Sequence, residues 1–444
     1  MSSGYRIDTV LRVRTQHRAG QLASLATAVA HEGALIGEIV TLRREGDVSV
    51  RDITVETEDE HQTERVIAAL RKTDGVEVLD VTDRVFERHK GGKIHSTSRL
   101  KIEALSDLRY IYTPGVARVA SAIQVDPSRA FQLTGLANSV GIFTNGTRVL
   151  GLGNIGPVAS LPVMEGKAVL YDQFVGISAV PILVDTTDSK EFIETVLRVS
   201  RSFGGIHLED IRTPDCFEIE RELDRLLDKP VMHDDQHGTA TVALAGIMNA
   251  CRLVGLDLKS AKMGQVGLGA AGSAIAKLAL AYGVGEVLVT DPNEQAMLSC
   301  IAKGAKPSDF ATIMREANIV VLTTGKPGLV TPELIQKGQV IFALSNPLPE
   351  ITPQRARAAG AAFAADGQSV NNALAYPGIF KGALEVRSRS ITPEMLIAAA
   401  ETIADHAVRG EVVPSPLLPE VHRAVTRAVA DRARAQGLSA TMRL

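Results

Sequence analysis

Residues 261–280 read AKMGQVGLGAAGSAIAKLAL, and this stretch decides the fold of the larger part of the chain. Its glycines have G-x-G-x-x-G spacing and stand between a short apolar segment and a helix-forming run. Such glycines let the backbone turn tightly from a strand into a helix and approach a pyrophosphate, which the helix N-terminus then binds. The pattern predicts a dinucleotide-binding loop formed by Gly267, Gly269, Ala270, Ala271 and Gly272.

An acidic residue follows the next predicted strand. Asp291 comes directly after the apolar residues 286–290, at about the 20-residue offset of a carboxylate that binds the adenosine ribose. Pro292 and Asn293 follow it, so no adjacent Lys or Arg is placed to hold a 2′-phosphate. The segment therefore predicts a Rossmann-type domain that prefers NAD, unless a basic residue from elsewhere reaches the phosphate of NADP.

The composition is that of a folded globular protein. The 444 residues are 45% hydrophobic and 22% charged, which argues against a disordered, collagen-like or coiled-coil chain. Lys and Arg number 48 against 51 Asp and Glu, giving a net charge of −3, and no long run carries one sign. A nucleic-acid or polybasic membrane surface finds no support, so the expected partner is a small molecule.

Cysteine usage and the first residues indicate the compartment. Cys216, Cys251 and Cys300 are an odd number and are too widely spaced for a disulfide framework or a CxxC metal site. Residues 1–14 alternate apolar and charged side chains, which excludes a secretory signal, and no apolar stretch is long enough to span a bilayer. We expect a cytoplasmic protein.

Residues 5–86 carry a pattern of their own. A period-two segment contains Tyr5, Ile7, Leu11 and Val13, and a helical run then places Leu22, Leu25, Ala26, Val29 and Ala30 on one face. Strands at 34–43 and 47–57, a helix at 60–72 and a strand at 76–85 follow. This order, βαββαβ, predicts a ferredoxin-like unit.

With the turn at residues 17–20, this unit resembles an ACT domain, although the turn lacks the acid and proline of the family's Asp-x-Pro-Gly. The resemblance implies a regulatory module that senses a small-molecule effector. The alternative is a small α/β module that only mediates oligomerisation.

Linker composition at 87–101 separates this unit from an alternation of strands and helices typical of an α/β protein. The predicted strands lie at 132–136, 141–144, 149–152, 180–184, 287–290, 319–323 and 340–343.

Two acidic pairs stand in otherwise apolar surroundings, Glu209–Asp210 and Asp234–Asp235. Burying four carboxyl groups is costly unless a cation neutralises them, and carboxylate ligands favour Mg²⁺ or Mn²⁺ over zinc. The alternative is that these residues are solvated loop carboxylates or helix caps. His233 and His237 do not form the zinc motif H-E-x-x-H, and we expect a loop that enters a helix near Thr239.

Two further side chains are candidates for proton transfer. Lys167 is a lone lysine among apolar residues, where desolvation and a nearby dication would lower its pKa and make it a base. Tyr112 precedes Thr113 and Pro114, which read as an N-cap and the first residue of a helix. The alternatives are a surface lysine and a packing tyrosine.

Together these residues lie in motifs that resemble the small bacterial malic enzymes from about residue 101 to about residue 430. The motifs are YTPGVA from Tyr112, VLGLGNIG from Val149, PVMEGKA from Pro162, FGGIHLEDI from Phe203, CFEIE from Cys216, HDDQHGT from His233, SNP from Ser345, VNNA from Val370 and YPGIF from Tyr376.

The resemblance implies oxidative decarboxylation of L-malate to pyruvate and CO₂ with reduction of NAD or NADP. It implies that Mg²⁺ or Mn²⁺ is held by Glu209, Asp210 and Asp235. It makes Lys167 the base, Asp234 the residue that orients it, and Tyr112 the acid that protonates C3. Substrate or nicotinamide contacts fall to Arg148, Asn346, Asn371 and Asn372, and a homodimer or larger homo-oligomer is expected.

We predict three domains: an ACT-like regulatory domain at 1–88, a substrate and metal domain at 95–228, and a Rossmann-type NAD domain at 229–444. Two alternatives stay open from sequence. One is a malolactic or oxaloacetate-decarboxylating enzyme of the same fold. The other is a catalytically silent, ligand-sensing oligomer, which would not need Tyr112, Lys167 and the presumed metal ligands together.

Overall fold

The computed structural model describes residues 7–149, 151–408 and 410–439, and Tyr5 lies outside them. The chain divides into two compact units, Met1–His95 and Ser96–Leu444. Among the helices in the described ranges, none has the length and apolar character needed to cross a membrane.

The N-terminal unit has the predicted βαββαβ order, followed by one short helix. Its antiparallel sheet has the strand order β2-β3-β1-β4. The elements are β1 (Ile7–Gln16), α1 (Gln21–His31), β2 (Leu35–Glu45), β3 (Val48–Thr57), α2 (Glu60–Arg71), β4 (Val76–Asp83) and α3 (Arg84–His89). The last helix covers the start of the segment predicted as a linker.

One face of this sheet is apolar because buried residues alternate along its central strands. Leu11 and Val13 of β1 and Ile53 of β3 pack against Leu25 of α1 and Val66 of α2. Leu22, expected on the inner face of α1, is exposed instead. Gln21, rather than Leu22, is buried there, since its side chain binds the backbone carbonyl of Asp74.

The second unit begins with three helices and a parallel four-stranded sheet of order β6-β5-β7-β8. The elements are α4 (Leu105–Ile111), α5 (Gly115–Val125), α6 (Ala130–Leu133), β5 (Ser139–Thr144), α7 (Gly156–Val175), β6 (Ser178–Leu183), α8 (Ser189–Val199), β7 (Gly205–Leu208), α9 (Asp215–Leu226) and β8 (Val231–His233). Strand β8 lies beyond residue 228, where we placed a domain boundary, yet it pairs with β7.

Two predicted strands of this region are wrong. Residues 132–136 contain the end of α6 and the start of a 3₁₀ turn. In the segment 149–152, Val149 forms an isolated bridge to Gly153, residues 151 and 152 form a turn, and Leu150 lies outside the described residues. A short apolar run does not distinguish a strand from a helix or turn, and neither segment has a neighbouring strand with which to form a ladder.

The remaining strands form a parallel six-stranded sheet of order β11-β10-β9-β12-β13-β14, and helices precede, connect or follow them. They are α10 (Asp234–Val254), β9 (Lys262–Val266), α11 (Ala270–Tyr282), β10 (Glu286–Thr290), α12 (Glu294–Ile301), β11 (Lys306–Pro307), α13 (Phe310–Glu316), β12 (Ile319–Leu322), β13 (Val340–Ala343), α14 (Pro353–Ala358), β14 (Phe363–Asp366), α15 (Tyr376–Glu385), α16 (Pro393–Asp405) and α17 (Pro419–Ala435). This is the Rossmann strand order, reversing between β9 and β12, and it confirms the prediction from the glycine pattern.

Candidate active site

The acidic pairs follow two neighbouring parallel strands, whose carboxyl ends meet at one edge of the sheet. Glu209 and Asp210 come after β7, and Asp234 and Asp235 come after β8. One carboxylate oxygen from each of Glu209, Asp210 and Asp235 lies within 4.8 Å of the others. The backbone N–H of Asp210 also donates to Asp235 Oδ2 at 3.1 Å. The fourth acid, Asp234, lies within the same distance of Glu209 and of His207, so Glu209 belongs to two neighbouring groups.

Helix α10 begins at Asp234 rather than near Thr239, so the expected loop is wrong. Asp234 and Asp235 lie in the first turn, where the helix dipole favours negative charge. Gly238, one helical turn later, has no side chain and so leaves space for the Asp234 carboxylate. A Cβ at this glycine would lie 1.8 Å from Asp234 Oδ1. His237 does not face the acids, since its Nε2 lies 3.0 Å from Glu220 Oε2.

Lys167 of α7 lies buried beside these acids. It forms ion pairs with Asp234 and, at 3.1 Å from Nζ to Oε1, with Glu209. Burial by itself would lower the pKa of Lys167, but the two carboxylates outweigh it and raise the pKa well above its ordinary value. The desolvation expected from sequence does lower this pKa, but the two carboxylates oppose it, and the effect predicted for a nearby dication stays a prediction.

The Asp234 carboxylate joins Lys167 to the last part of the chain. Asn372 donates its side-chain N–H to Asp234 Oδ2 at 2.6 Å, while Asn371 Oδ1 accepts from the backbone of Ala373 at 2.9 Å. Burial raises the pKa of Asp234 to about 6. Of the two asparagines expected to bind substrate or nicotinamide, Asn372 contacts the partner of Lys167 and Asn371 caps a turn.

Aromatic rings enclose the lysine from the other side. Lys167 Nζ lies 4.7 Å from the ring centroid of Tyr376, which is buried and packs edge-on against Tyr171. Tyr376 also donates its hydroxyl to the Lys167 carbonyl at 3.4 Å. We assigned no role to Tyr376, and the only signal for it was the YPGIF motif. The ring keeps water from the ammonium while offering a favourable π face.

A buried histidine lies behind Glu209. His207 Nε2 lies 2.6 Å from Glu209 Oε2, and its Nδ1 lies 2.8 Å from the Tyr171 hydroxyl. Burial lowers the pKa of His207 to about 4 and raises the pKa of Glu209 to about 7. Sequence reasoning missed His207 because its nearest signal, a histidine within an apolar strand, is more often a core residue.

Tyr112 has a different environment. It follows α4, and Pro114 precedes α5 instead of being its first residue as predicted. The Tyr112 side chain is 68% exposed. The side chains that form ion pairs or ring contacts with Lys167 in the described part of the chain are Glu209, Asp234 and Tyr376, and Tyr112 is not one of them.

Arg148 is held beside the acids through its backbone. Its N–H donates to the Asp210 carbonyl at 3.1 Å, and its side chain is exposed. Thr147 supports this loop, since its hydroxyl donates to Asn145 Oδ1 at 2.7 Å and accepts from the backbone of Arg212 at 2.9 Å. The exposed side chain of Arg148 is therefore accessible to an anion.

The glycine pattern forms the turn between β9 and α11. Gly267 has φ of 88°, and a Cβ on Gly272 would lie 2.0 Å from the Gly267 carbonyl oxygen, so both positions require glycine. Gly269 precedes Ala270 and Ala271, the first two residues of α11, whose N-terminus has no side-chain cap. Asp291 Oδ2 accepts from the Leu268 N–H at 2.6 Å, which places this carboxylate beside the loop.

Two loops at the ends of β12 and β13 share one buried carboxylate. Glu350 accepts from the Thr324 N–H at 2.7 Å and from the Ser345 hydroxyl at 2.5 Å. The neighbouring Asn346 packs against Gly367, where a Cβ would lie 2.7 Å from Asn346 Nδ2. Sequence reasoning found Asn346 but missed Glu350, because its partner Thr324 lies in another loop, 26 residues away in the chain.

Comparison with known proteins accounts for both units. Residues 92–224 match the malic enzyme N-terminal domain, 335–434 the malic enzyme NAD binding domain, and 4–80 an ACT domain. Residues 234–331 match the NAD binding domain of D-isomer specific 2-hydroxyacid dehydrogenases. The "NAD-dependent malic enzyme 1" of Bacillus subtilis is 51% identical over 94% of this chain and 96% of that protein. The chain belongs to the malic enzyme family.

Other family members agree with this assignment. The NAD-dependent malic enzyme of Geobacillus stearothermophilus is 38% identical over 99% of this chain and 97% of its own. The crystal structure of the Thermotoga maritima NAD-dependent malic enzyme has a TM-score of 0.74 and 38% identity, covering 79% of this chain and 99% of that one. The match at residues 4–80 confirms the ACT domain, and these relatives confirm the fold and support NAD as the cofactor.

Proposed function

We propose that the chain catalyses the oxidative decarboxylation of L-malate to pyruvate and CO₂, with reduction of NAD and with Mg²⁺ or Mn²⁺. The observation that carries this proposal is the buried contact of Lys167 with Asp234 and Glu209, beside the group of three carboxylates. Removing the hydroxyl proton of a chelated hydroxy acid requires a base beside the bound cation. Lys167 would be that base, and the three carboxylates would hold the cation.

The three grouped acids fit a hard divalent cation. Glu209, Asp210 and Asp235 supply only oxygen ligands, and the first two are buried, which leaves their charge without solvent to neutralise it. A cation held there would act as a Lewis acid toward the oxygens of the substrate.

Two side chains would move the protons. Lys167 would take the proton of the C2 hydroxyl when a cation at Glu209 offsets the carboxylate charge that raises the pKa of this lysine. Asp234, held by Asn372, would orient the lysine, and NAD would supply the acceptor for the hydride from C2. Loss of CO₂ then breaks the C3–C4 bond, and Tyr112 protonates C3. One proton taken up and one delivered balance the reaction, since malate and NAD⁺ yield pyruvate, CO₂ and NADH.

The remaining predicted residues would bind ligands. The exposed guanidinium of Arg148 suits a substrate carboxylate. Asn346 and Asn371 lie on segments that follow the carboxyl ends of β13 and β14, where a Rossmann sheet binds nicotinamide. Gly267–Gly272 and Asp291 would bind the pyrophosphate and the adenosine ribose, favouring NAD over NADP.

We also infer a homo-oligomer. Helices α4 and α5 have no buried residue, and Leu105, Tyr110 and Val125 are 83%, 75% and 86% exposed. A large exposed apolar surface of this kind is typical of an interface, and a second copy of the chain is the occupant that the family resemblance favours. Tyr112 lies within this surface, so its contribution to catalysis would depend on the assembled enzyme.

The domain limits and regulation remain proposals of the same kind. We assign residues 1–88 to the ACT domain, which would bind a small-molecule effector, the segment predicted at 95–228 to substrate and metal, and the segment predicted at 229–444 to NAD. The pairing of β8 with β7 moves β8 into the substrate and metal domain. The family matches at 4–80 and 92–224 support the first two limits. We place the enzyme in the cytoplasm.

The proposed function is tested with the full chain stripped of metal by chelation. L-malate and NAD or NADP are added with and without Mn²⁺, while NADH, pyruvate and lactate are measured. We expect equal amounts of NADH and pyruvate that require Mn²⁺, and a higher kcat/KM with NAD. Lactate without NADH would instead indicate a malolactic enzyme, and absence of any product would contradict the proposal.

A matched pair of variants then tests the metal ligands. Glu209→Gln removes a proposed ligand, whereas Glu218→Gln changes an exposed residue of α9. We expect only the first to lose Mn²⁺-dependent activity. Equal activity of the two variants would exclude Glu209 from the metal site.

A further inference from the structure

His207 connects a proposed metal ligand to a tyrosine on another helix. It lies on β7, two residues before Glu209, and both of its ring nitrogens have partners. The imidazole and the Tyr171 ring are fully buried. His207 therefore spans the distance between α7 and the carboxylate with no solvent at either end.

The chemistry of the partners decides the direction of the two hydrogen bonds. A carboxylate only accepts, so the hydrogen between His207 and Glu209 belongs to Nε2. In a neutral imidazole the other nitrogen is then an acceptor, and the Tyr171 hydroxyl must donate to Nδ1. Tyr171 thereby selects the tautomer that presents an N–H to Glu209.

Packing holds the histidine ring in this orientation. Its face stacks on Phe380 with centroids 5.7 Å apart and planes inclined by 23°, and Tyr376 contacts it edge-on at 5.4 Å. Both rings come from α15, and Tyr171 comes from α7. A rotated imidazole would lose both hydrogen bonds and collide with these rings, so the donor is fixed relative to the carboxylate.

The two oxygens of Glu209 are consequently different. Oε2 accepts from His207 at 2.6 Å, whereas Oε1 faces Lys167 Nζ at 3.1 Å. A short hydrogen bond from a fixed donor restricts rotation of the Glu209 carboxylate, so each oxygen keeps its own side of the group. Oε1 is the oxygen that remains for a ligand on the side of Lys167.

We propose that His207, oriented by Tyr171, is a positioning residue for the divalent cation: by holding Oε2 of Glu209 it fixes this carboxylate in an orientation that would leave Oε1 available to the cation. The inference rests on the proposed function, because it requires Glu209 to be a metal ligand. Partners of this kind, which hydrogen-bond a ligating side chain, typically contribute about 10- to 100-fold to metal affinity.

The test measures Mn²⁺ binding to the full chain without substrate, using the electron paramagnetic resonance signal of free Mn²⁺. Tyr171→Phe removes only the hydroxyl and keeps the ring, and Tyr282→Phe is the matched control on α11. We expect a several-fold higher Kd for Mn²⁺ in Tyr171→Phe and no change in Tyr282→Phe. NADH binding, followed by its fluorescence, is expected to be unchanged in both.

Variants of the histidine itself give the larger effect. We expect His207→Phe, which keeps a ring but lacks the donor, to raise the Mn²⁺ Kd by about 10- to 100-fold. His207→Gln, whose amide can donate to Glu209, is expected to recover part of the loss. If His207→Phe does not fold, Tyr171→Phe decides the question.

The outcomes separate the two proposals. Unchanged Mn²⁺ affinity in folded His207→Phe and Tyr171→Phe would overturn the positioning role and leave His207 as a packing residue, while the proposed function stands. Failure of the unmodified chain to bind Mn²⁺ would overturn both.

Discussion

The segment that contains α4 and α5 differs in side-chain exposure from the one that contains α7, β7 and the start of α10. Both are apolar and both carry a residue proposed for proton transfer. Tyr112 in the first is 68% exposed, whereas Lys167 in the second is buried among two carboxylates and a ring. Lys167 thus has its contacts within one chain, whereas in the proposed homo-oligomer Tyr112 would gain its surroundings from a second copy.

The largest effect is expected from removing the buried base. Lys167→Ala should lower kcat by about 10²- to 10⁴-fold, the range of a general base. Exposed Lys190 on α8 gives the matched control, Lys190→Ala. Steady-state rates with saturating Mn²⁺ and NAD measure the effect. Near-normal turnover of Lys167→Ala would show that Lys167 is not the general base.

A smaller loss is expected on the exposed side. Tyr112→Phe should lower kcat by about 10²-fold because it removes the acid that protonates C3, while Tyr110→Phe, equally exposed on α4, should not. Mixing inactive Tyr112→Phe with inactive Lys167→Ala sharpens the comparison. Recovered activity would show that one chain supplies Tyr112 to the lysine of its partner, and no recovery would show that both act in one chain.

The apolar surface itself can be disrupted. Leu105→Glu places a charge where a partner copy would pack, so we expect dissociation toward monomers by sedimentation velocity and a lower specific activity. Leu417→Glu, which changes another exposed leucine, is the control. An unchanged oligomer in Leu105→Glu would assign the interface to a different face.

The smallest effect is expected in the cofactor loops. Glu350→Gln exchanges an acceptor of several hydrogen bonds for an amide whose N–H groups face the donors of Thr324 and Ser345. We expect NADH binding to weaken by about tenfold, as for loss of a charge-assisted hydrogen bond, with Mn²⁺ affinity unchanged. Glu401→Gln, which changes an exposed residue of α16, is the control, and equal NADH affinity of the two variants would contradict the role of Glu350.

Much of the fold followed from local patterns. The alternation of apolar residues in β1 and the helical spacing of Leu25 and Val29 predict the βαββαβ unit, because strand and helix periods are properties of neighbouring residues. The glycine spacing at 267–272 similarly predicts the turn into α11. The residue types at 209, 210, 234 and 235 indicated an oxygen-ligand site before any contact was known.

What the tertiary structure decided concerns partners that are distant in the chain. Asp234 and Asp235 are adjacent in sequence, and the packing of α7 against the start of α10 gives them different partners. Asp234 contacts Lys167, whereas Asp235 joins Glu209 and Asp210. The raised pKa of Lys167, the ring of Tyr376 and the donor of His207 also arise from such meetings. Sequence alone determined which elements form and which chemical groups are present, since both depend on local order, whereas the charge and hydrogen bonding of each group depend on its neighbours in space.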